Sequence, residues 1–233
     1  ILGANGSGKT TLIRSICGIV RHTGECLLDG VGLEGLSARK LAQQCSYIPQ
    51  RSGITIDVSA LDVVLMGFSP QLRLLQQPDA HMHERALAAL AQVGLAGREN
   101  ENYQHLSEGQ RQLCILARTL VAPGRLLLLD EPESALDLRF RYRLMAQVRR
   151  FVADRQGMAV LCLHDPMLAL NACDRLLLLR DGGCAGMLCP DQDSPEDMER
   201  QLSQLYGAVT LCRARTRSGQ DQWVMLKEQE VQL

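Results

Sequence analysis

No stretch of this 233-residue chain approaches the run of about 18 apolar residues that a membrane-crossing helix requires, so none is expected. Nothing in the given residues has the charged start and short apolar centre of a secretory leader, so none is expected among them. Neither sign of charge is in excess: 25 Lys and Arg stand against 26 Asp and Glu, a formal net charge of −1. Proteins that hold nucleic acid usually carry a basic surplus, so no nucleic acid is expected as the main partner. No two of the nine cysteines have C-x-x-C spacing, which argues against a zinc ribbon or a redox dithiol. Their odd number, and positions such as Cys162 inside the apolar VLCLH, suit reduced thiols used as small core residues in the cytosol. Internal repeats and low-complexity runs are also absent.

What is there is ordinary for a globular protein: 46% hydrophobic and 22% charged residues, in a chain long enough for one α/β domain with a real core. The chain opens at Ile1-Leu2-Gly3 without Met and with a Gly-rich loop already under way, so a preceding N-terminal segment is expected. Residues 1–19 read as a strand end, a turn and a helix, with Thr11, Leu12, Ile13, Ile16 and Ile19 largely on one face. Residues 21–30 read as a turn, a short strand and a turn. A helical pattern covers 36–44, and a short strand runs from Ser46 until Pro49 ends it.

From Val58 to Leu120 the pattern is mostly helical, broken by a loop over SPQLRLLQQPDAHM. Unbroken apolar runs at 126–129, 159–163 and 176–179 suit strands covered on both faces, as in a parallel sheet between helices. A helix fills 138–153, residues 190–201 read as acidic surface, and 207–233 alternate enough to suggest a terminal hairpin. The expected organisation is therefore an α/β core of 1–51 and 119–233, interrupted by a helical insertion at 52–118.

Gly3-Ala4-Asn5-Gly6-Ser7-Gly8-Lys9-Thr10 fits G-x-x-x-x-G-K-[ST] in full. Glycines let the backbone curl so that successive N–H groups face phosphate oxygens, and the helix that follows presents its positive end to the same anion. Lys9 would bridge the β- and γ-phosphates, and the Thr10 hydroxyl would ligate Mg²⁺. Downstream, the run 126–129 leads into Asp130-Glu131-Pro132. A carboxylate at the end of a buried strand can hold Mg²⁺, the role expected of Asp130, and Glu131 is the candidate to polarise an attacking water.

With Leu106-Ser107-Glu108-Gly109-Gln110 and the helix-like RQLCILARTL after it, the chain resembles the ABC ATPase family over nearly its whole length. The five residues resemble the family's LSGGQ signature. On physical grounds Ser107 with Gln110 is also a capping box, so a helix should open there. The resemblance implies an α/β fold: a RecA-like P-loop NTPase core with a mostly parallel sheet, a small antiparallel β part and a helical subdomain insertion. It implies ATP hydrolysis, with ATP and Mg²⁺ as cofactors. ATP would be held by Gly3, Asn5, Gly6, Ser7, Gly8, Lys9, Thr10 and Thr11, and by Ser107, Glu108, Gly109 and Gln110 of a second copy. Gln50 in YIPQ resembles the Q-loop glutamine, reaching metal and water; Ser134-Ala135-Leu136-Asp137 resembles the D-loop; His164 in LCLHD resembles the switch histidine. Glu131, His164 and Gln50 would be catalytic, and Thr10, Gln50 and Asp130 would hold the metal.

Two residues depart from the family pattern. Glu108 replaces a glycine of the signature, and Glu133 stands where Thr is common. The family's adenine-stacking aromatic precedes the loop, and Tyr47 is not an obvious substitute. The other histidines read as surface or packing residues, although His81-Met82-His83 could bind a metal weakly.

The resemblance further implies a homodimer of ATPase subunits acting on integral membrane permease subunits, peripheral at the cytoplasmic face of the inner membrane, with a substrate-binding protein as an indirect partner. The stretch TIDVSALDVVLMGFSP resembles importers of iron–siderophore, haem and cobalamin complexes, with Phe68 in the usual Arg place, and the closing YGAVTL resembles the same class. Zinc and manganese importers are close neighbours. ABC ATPases of nucleic-acid or ribosome processes usually carry coiled-coil insertions or tandem cassettes, and this chain has neither. A regulatory protein without turnover would be expected to lack Glu131 or His164.

Overall fold

The computed structural model describes residues 1–50, 53–134 and 136–228. In chain order its elements are β1 (Leu2–Gly3), α1 (Lys9–Ile16), β2 (Leu27–Leu28), β3 (Val31–Gly32), α2 (Ala38–Gln44), β4 (Cys45–Ile48), α3 (Ala60–Leu65), α4 (Ala80–Val93) and α5 (Glu108–Val121). There follow β5 (Leu126–Asp130), α6 (Leu138–Arg155), β6 (Met158–Cys162), α7 (Pro166–Ala172), β7 (Leu176–Arg180), β8 (Gly183–Leu188), α8 (Pro195–Tyr206), β9 (Val209–Arg215) and β10 (Asp221–Lys227). Short polar side chains set the helix starts: Ser37, Ser59, Asp79, Ser107, Asp137, Asp165 and Ser194 each accept a backbone N–H of the first turn. The chain divides into two compact units, Ile13–Leu161 and a second made of Ile1–Leu12 with Cys162–Leu233.

In the unit Ile13–Leu161, β4 runs parallel to β5, with Cys45 opposite Leu126 and Ile48 opposite Leu129, and β6 completes the sheet order β4-β5-β6. All five residues of β5 are buried, as expected of a strand covered on both faces. β2 and β3 form a small antiparallel hairpin. α3, α4 and α5 pack together through Val63, Val64, Ala86, Leu90, Leu113 and Leu116, all at most 0% exposed. α4 ends at Gly94, whose φ of 83° gives the left-handed cap. The Arg143 guanidinium of α6 lies where a Cβ on Gly94 would stand. Arg155, stacked 4.7 Å over Phe151, donates to the carbonyl oxygens of Leu120, Ala122 and Gly124, satisfying acceptors around the end of α5.

In the other unit β1 is parallel to β7, with Leu2 opposite Leu178, and β7 is antiparallel to β8 with an irregularity at Leu178/Leu179. The terminal hairpin is present, β9 and β10 pairing from Val209–Lys227 to Arg215–Asp221. Asn171 of α7 accepts from the Trp223 N–H at 2.8 Å and donates to its carbonyl at 2.9 Å, extending the hairpin's hydrogen bonding to a helix.

Several expectations are corrected. The segment 190–201 is not simply surface: α8 starts at Pro195 and buries Met198 and Leu202, on a Ser-Pro-Glu-Asp start with the cap, the N1 proline and first-turn acids that favour a helix. β8 has no apolar alternation and shows itself only by pairing with β7. Ile19 lies beyond the end of α1 and is 60% exposed, so it is not part of that helix's inner face. α4 begins at Ala80, inside the stretch read as loop. Ala135 of the D-loop stretch, residues 51 and 52, and the end of the chain from 229 lie outside the described residues.

Candidate active site

The Gly-rich loop belongs to the unit containing β1 and β7. A Cβ on Gly3 would stand 2.4 Å from both the Leu179 carbonyl oxygen and Ser7 Oγ, so only glycine lets the loop turn back against β7. Gly6 and Gly8 take φ of 82° and 97°, in the left-handed region glycine adopts freely. Ser7 N–H closes the turn on Ala4 O at 3.1 Å, and Leu12 N–H bonds Gly8 O at 2.9 Å as α1 begins. Lys9 is 4% exposed, and its Nζ donates to Gly3 O at 2.8 Å and Ala4 O at 3.2 Å. The ammonium therefore lies folded under its own loop. Asn5 and Gly6 are exposed, Thr10 is half-buried and Thr11 exposed. Ser7 is 4% exposed, and its Oγ has no hydrogen-bond partner among the described residues. A buried hydroxyl is costly without a partner. The tight loop, the inward lysine and that open hydroxyl fit a phosphate chain.

His164 stands exposed just after β6, in the same unit. The N–H of Leu163 before it bonds Ile1 O at 3.0 Å, so the histidine follows a residue tied to the strand that feeds the loop.

The carboxylates belong to the other unit. Asp130 is the last residue of β5, one place further into the strand than the apolar run alone implies, and is 1% exposed. The Tyr47 hydroxyl donates to its Oδ2 at 3.3 Å. Burial pushes the Tyr47 phenol up, against a hydrogen bond from Arg14, and that same bond raises the Arg14 guanidinium. Tyr47 is thus engaged between α1 and β5 rather than offered as a stacking surface. Glu131 adopts φ 51°, unusual for a residue with a Cβ, which turns it out of the strand direction. Gln50 Nε2 donates to Glu131 Oε2 at 2.6 Å. Glu133 is 2% exposed, so it is a core position.

The signature stretch opens α5 as expected. Ser107 Oγ accepts from Gln110 N–H at 3.3 Å, and Gln110 Oε1 accepts from Ser107 N–H at 2.9 Å, a complete capping box. Glu108, the departure from the family pattern, lies 3.6 Å from the Arg111 guanidinium one turn on, and Arg111 also donates to Leu106 O and Gln104 O. A Cβ on Gly109 would lie 3.3 Å from Leu136, so the signature and the D-loop stretch are neighbours. The Asp137 carboxylate caps α6 by accepting from Phe140 N–H at 3.0 Å.

Three side chains of this region have partners that sequence reasoning does not reach: Tyr47, read only against the adenine-stacking role, Arg14, which bonds Tyr47, and Gln112, whose Nε2 donates to Gln50 O at 2.8 Å. A glutamine on the apolar side of RQLCILARTL was the available signal for the last. Among the described residues no three His, Cys, Asp or Glu gather into a metal cluster, and His81 and His83 stand exposed on the first turn of α4. No helix of the described residues is long and apolar enough to cross a membrane.

The sequence model of the ABC transporter family matches residues 1–134. The hemin import ATP-binding protein HmuV of Bordetella pertussis is 37% identical over 211 residues, 86% of this chain and 79% of that protein. An iron chelatin transport ATP-binding protein of Helicobacter pylori is 33% identical over 183 residues, 78% of this chain and 72% of its own length. Among solved structures, an inward-facing metal-chelate type ABC transporter aligns with a TM-score of 0.75 and 26% identity, over 97% of this chain and 85% of that one. With the phosphate loop, the strand-end carboxylates and a capped signature helix present, the chain belongs to the ABC transporter family, as an ATP-binding and ATP-hydrolysing subunit.

Proposed function

We propose that this ATPase drives import of a haem or iron-chelate type complex, as one of two identical subunits held beneath membrane permease subunits at the cytoplasmic face of the inner membrane. The single observation that carries the catalytic part is the pair at the end of β5: Asp130 buried in the strand, and Glu131 turned aside and held by Gln50 at 2.6 Å. The cargo class rests on the relatives, whose names speak of hemin import and iron chelatin transport. A permease partner is supported by the loop after the importer-like stretch 55–70. Leu74 and Leu75 are 93% and 94% exposed there, while Arg39 pins the loop by donating to Pro70 O at 3.1 Å and Leu72 O at 2.7 Å. A substrate-binding protein would deliver the cargo from the other side, and residues 52–118 would form the helical subdomain.

In this reading the Gly3–Thr10 loop wraps the phosphates with backbone N–H groups, and Lys9 turns from its own loop carbonyls to the β- and γ-phosphates. Thr10, Asp130 and Gln50 would hold Mg²⁺, which when bound neutralises charge developing on the phosphates. Glu131 takes the proton of the attacking water, and His164 contacts the γ-phosphate. Ser107 and Gly109 of the second copy close the site, their helix N-terminus facing the anion. Closure is then a population shift that ATP favours and hydrolysis reverses.

The test is Glu131→Gln, assayed for ATP binding by fluorescence titration and for phosphate release. Binding should persist and hydrolysis fall by about 10²–10⁴-fold, the usual contribution of a general base. Turnover near the wild-type rate would remove Glu131 from the base role.

A further inference from the structure

Within the unit Ile13–Leu161, one buried polar side chain has a place that the proposed catalytic roles leave unused. Gln112 is 4% exposed, in the middle of α5, next to Leu113, Cys114, Ile115 and Leu116, each at most 2% exposed. A long amide among apolar neighbours is costly unless its hydrogen bonds are made. Gln112 Nε2 makes one with a residue far away in the chain, donating to the backbone carbonyl of Gln50 at 2.8 Å. Gln50 is therefore engaged at both ends: its carbonyl by the signature helix, and its side-chain amide on Glu131 Oε2 at 2.6 Å.

The links are continuous and each is short. The capping box fixes the first turn of α5 at Ser107 and Gln110. From Ser107 to Gln112 the helix rises about 7.5 Å as a rigid rod. Gln112 holds the Gln50 backbone, and Gln50 holds Glu131, whose φ of 51° is a conformation that surrounding contacts must maintain. Any displacement or tilt of α5 that follows docking of an anion at its N-terminus moves the Gln50 carbonyl, and with it the amide that occupies Glu131.

We propose that Gln112 is a positioning residue: through the Gln50 backbone it makes the contact between Gln50 and Glu131 answer to the position of the signature helix. This rests on the reading of Glu131 as the base and of the signature as the anion-facing helix end. In the arrangement described, one lone-pair direction of Glu131 is taken by the Gln50 amide. Movement of α5 on closure changes that contact and readies the carboxylate for water, so turnover waits for the signature to be engaged.

The experiment is a double-mutant cycle on the full chain with Gln112→Met, which keeps length and bulk but has no donor, and Gln50→Ala. Gln112→Met should lower kcat at least fivefold while KM and ATP affinity stay within twofold. The double variant should turn over within twofold of Gln50→Ala alone, because Gln112 acts only through Gln50. Wild-type kcat in Gln112→Met, a parallel loss of ATP affinity, or additive losses in the double variant would each overturn the proposal. If Gln112→Met melts too early to assay, the Gln112 side-chain amide resonance is followed in Glu131→Gln protein. It should shift when Mg²⁺–ATP is added, and an unmoved resonance on a protein that binds ATP overturns the link. Failure of the base assignment reads out separately, as unimpaired hydrolysis by Glu131→Gln.

Discussion

At the scale of single residues, the loop's chemistry depends on atoms that have no slack. Lys9 is folded onto Gly3 O and Ala4 O, so in the proposed role its ammonium would exchange those carbonyls for phosphate oxygens. Lys9→Ala should therefore weaken ATP binding at least tenfold, about 1.4 kcal/mol or more, and equal affinity in a titration would refute its role. Thiol chemistry at this scale follows burial. Cys184 and Cys212 are exposed, whereas Cys114 and Cys162 are 0% exposed. Burial also pushes the Cys114 thiol up to about 12. At pH 8 an alkylating reagent should label Cys184 and Cys212 in the folded protein and reach Cys114 and Cys162 only after unfolding, as peptide mass mapping would reveal. The residue-level signals were largely legible in the sequence: an eight-residue loop and an Asp-Glu pair are strings. Tyr47 and Gln112 were not, because their partners Asp130 and Gln50 lie 83 and 62 positions away.

At the scale of elements, helix ends carry contacts of their own. Gly94 closes α4 in the left-handed region and leaves room for Arg143 of α6. Gly94→Ala pays for that backbone conformation, roughly 1–2 kcal/mol, and displaces the guanidinium as well. Gly97, with φ 82° and nothing within 4 Å of an added Cβ, is its control. Gly94→Ala should lower Tm by several degrees, and by more than Gly97→Ala; equal losses would mean that the Arg143 packing contributes nothing. The start of α5 is legible in the sequence, because Ser107 and Gln110 form a capping box within four residues. The start of α8 is not, although Ser194 caps it, because an acidic, Pro-containing stretch resembles a surface loop until Met198 and Leu202 are seen to be buried. β8 carried no usable pattern: with Gly, Cys and Ala along it, its strand character comes from pairing with β7.

At the scale of the molecule, alkaline pH tests the buried ionisable groups together. Burial is the first cause raising Cys17 and Cys114 from 9.0 to about 12, Cys45 from 9.0 to about 11, and Tyr206 from 10.0 to about 12. In the unfolded chain these groups release protons at their ordinary values, and in the folded chain only later. Above pH 9 the unfolded state therefore binds fewer protons, so stability falls as pH rises from about 9 to about 12 and is fully present below pH 9. Urea midpoints in reductant should be level from pH 7.5 to 8.5 and lower at pH 10.5; a midpoint unchanged at pH 10.5 would contradict the raised values.

The sequence alone determined what is local in the chain: the Gly-rich loop, the Asp-Glu pair at a strand end, the capped start of α5 and the helix-and-strand alternation of an α/β fold. Each depends on neighbours within a few residues, where spacing and backbone geometry coincide. Only the tertiary structure decided how those pieces are held. It buried Glu133, paired Glu108 with Arg111, drew Tyr47 to Asp130 and tied Gln112 through Gln50 to Glu131. Long-range contacts of this kind depend on which faces of distant segments meet in the core, and a linear pattern records that a side chain is apolar or polar but not which partner it will meet.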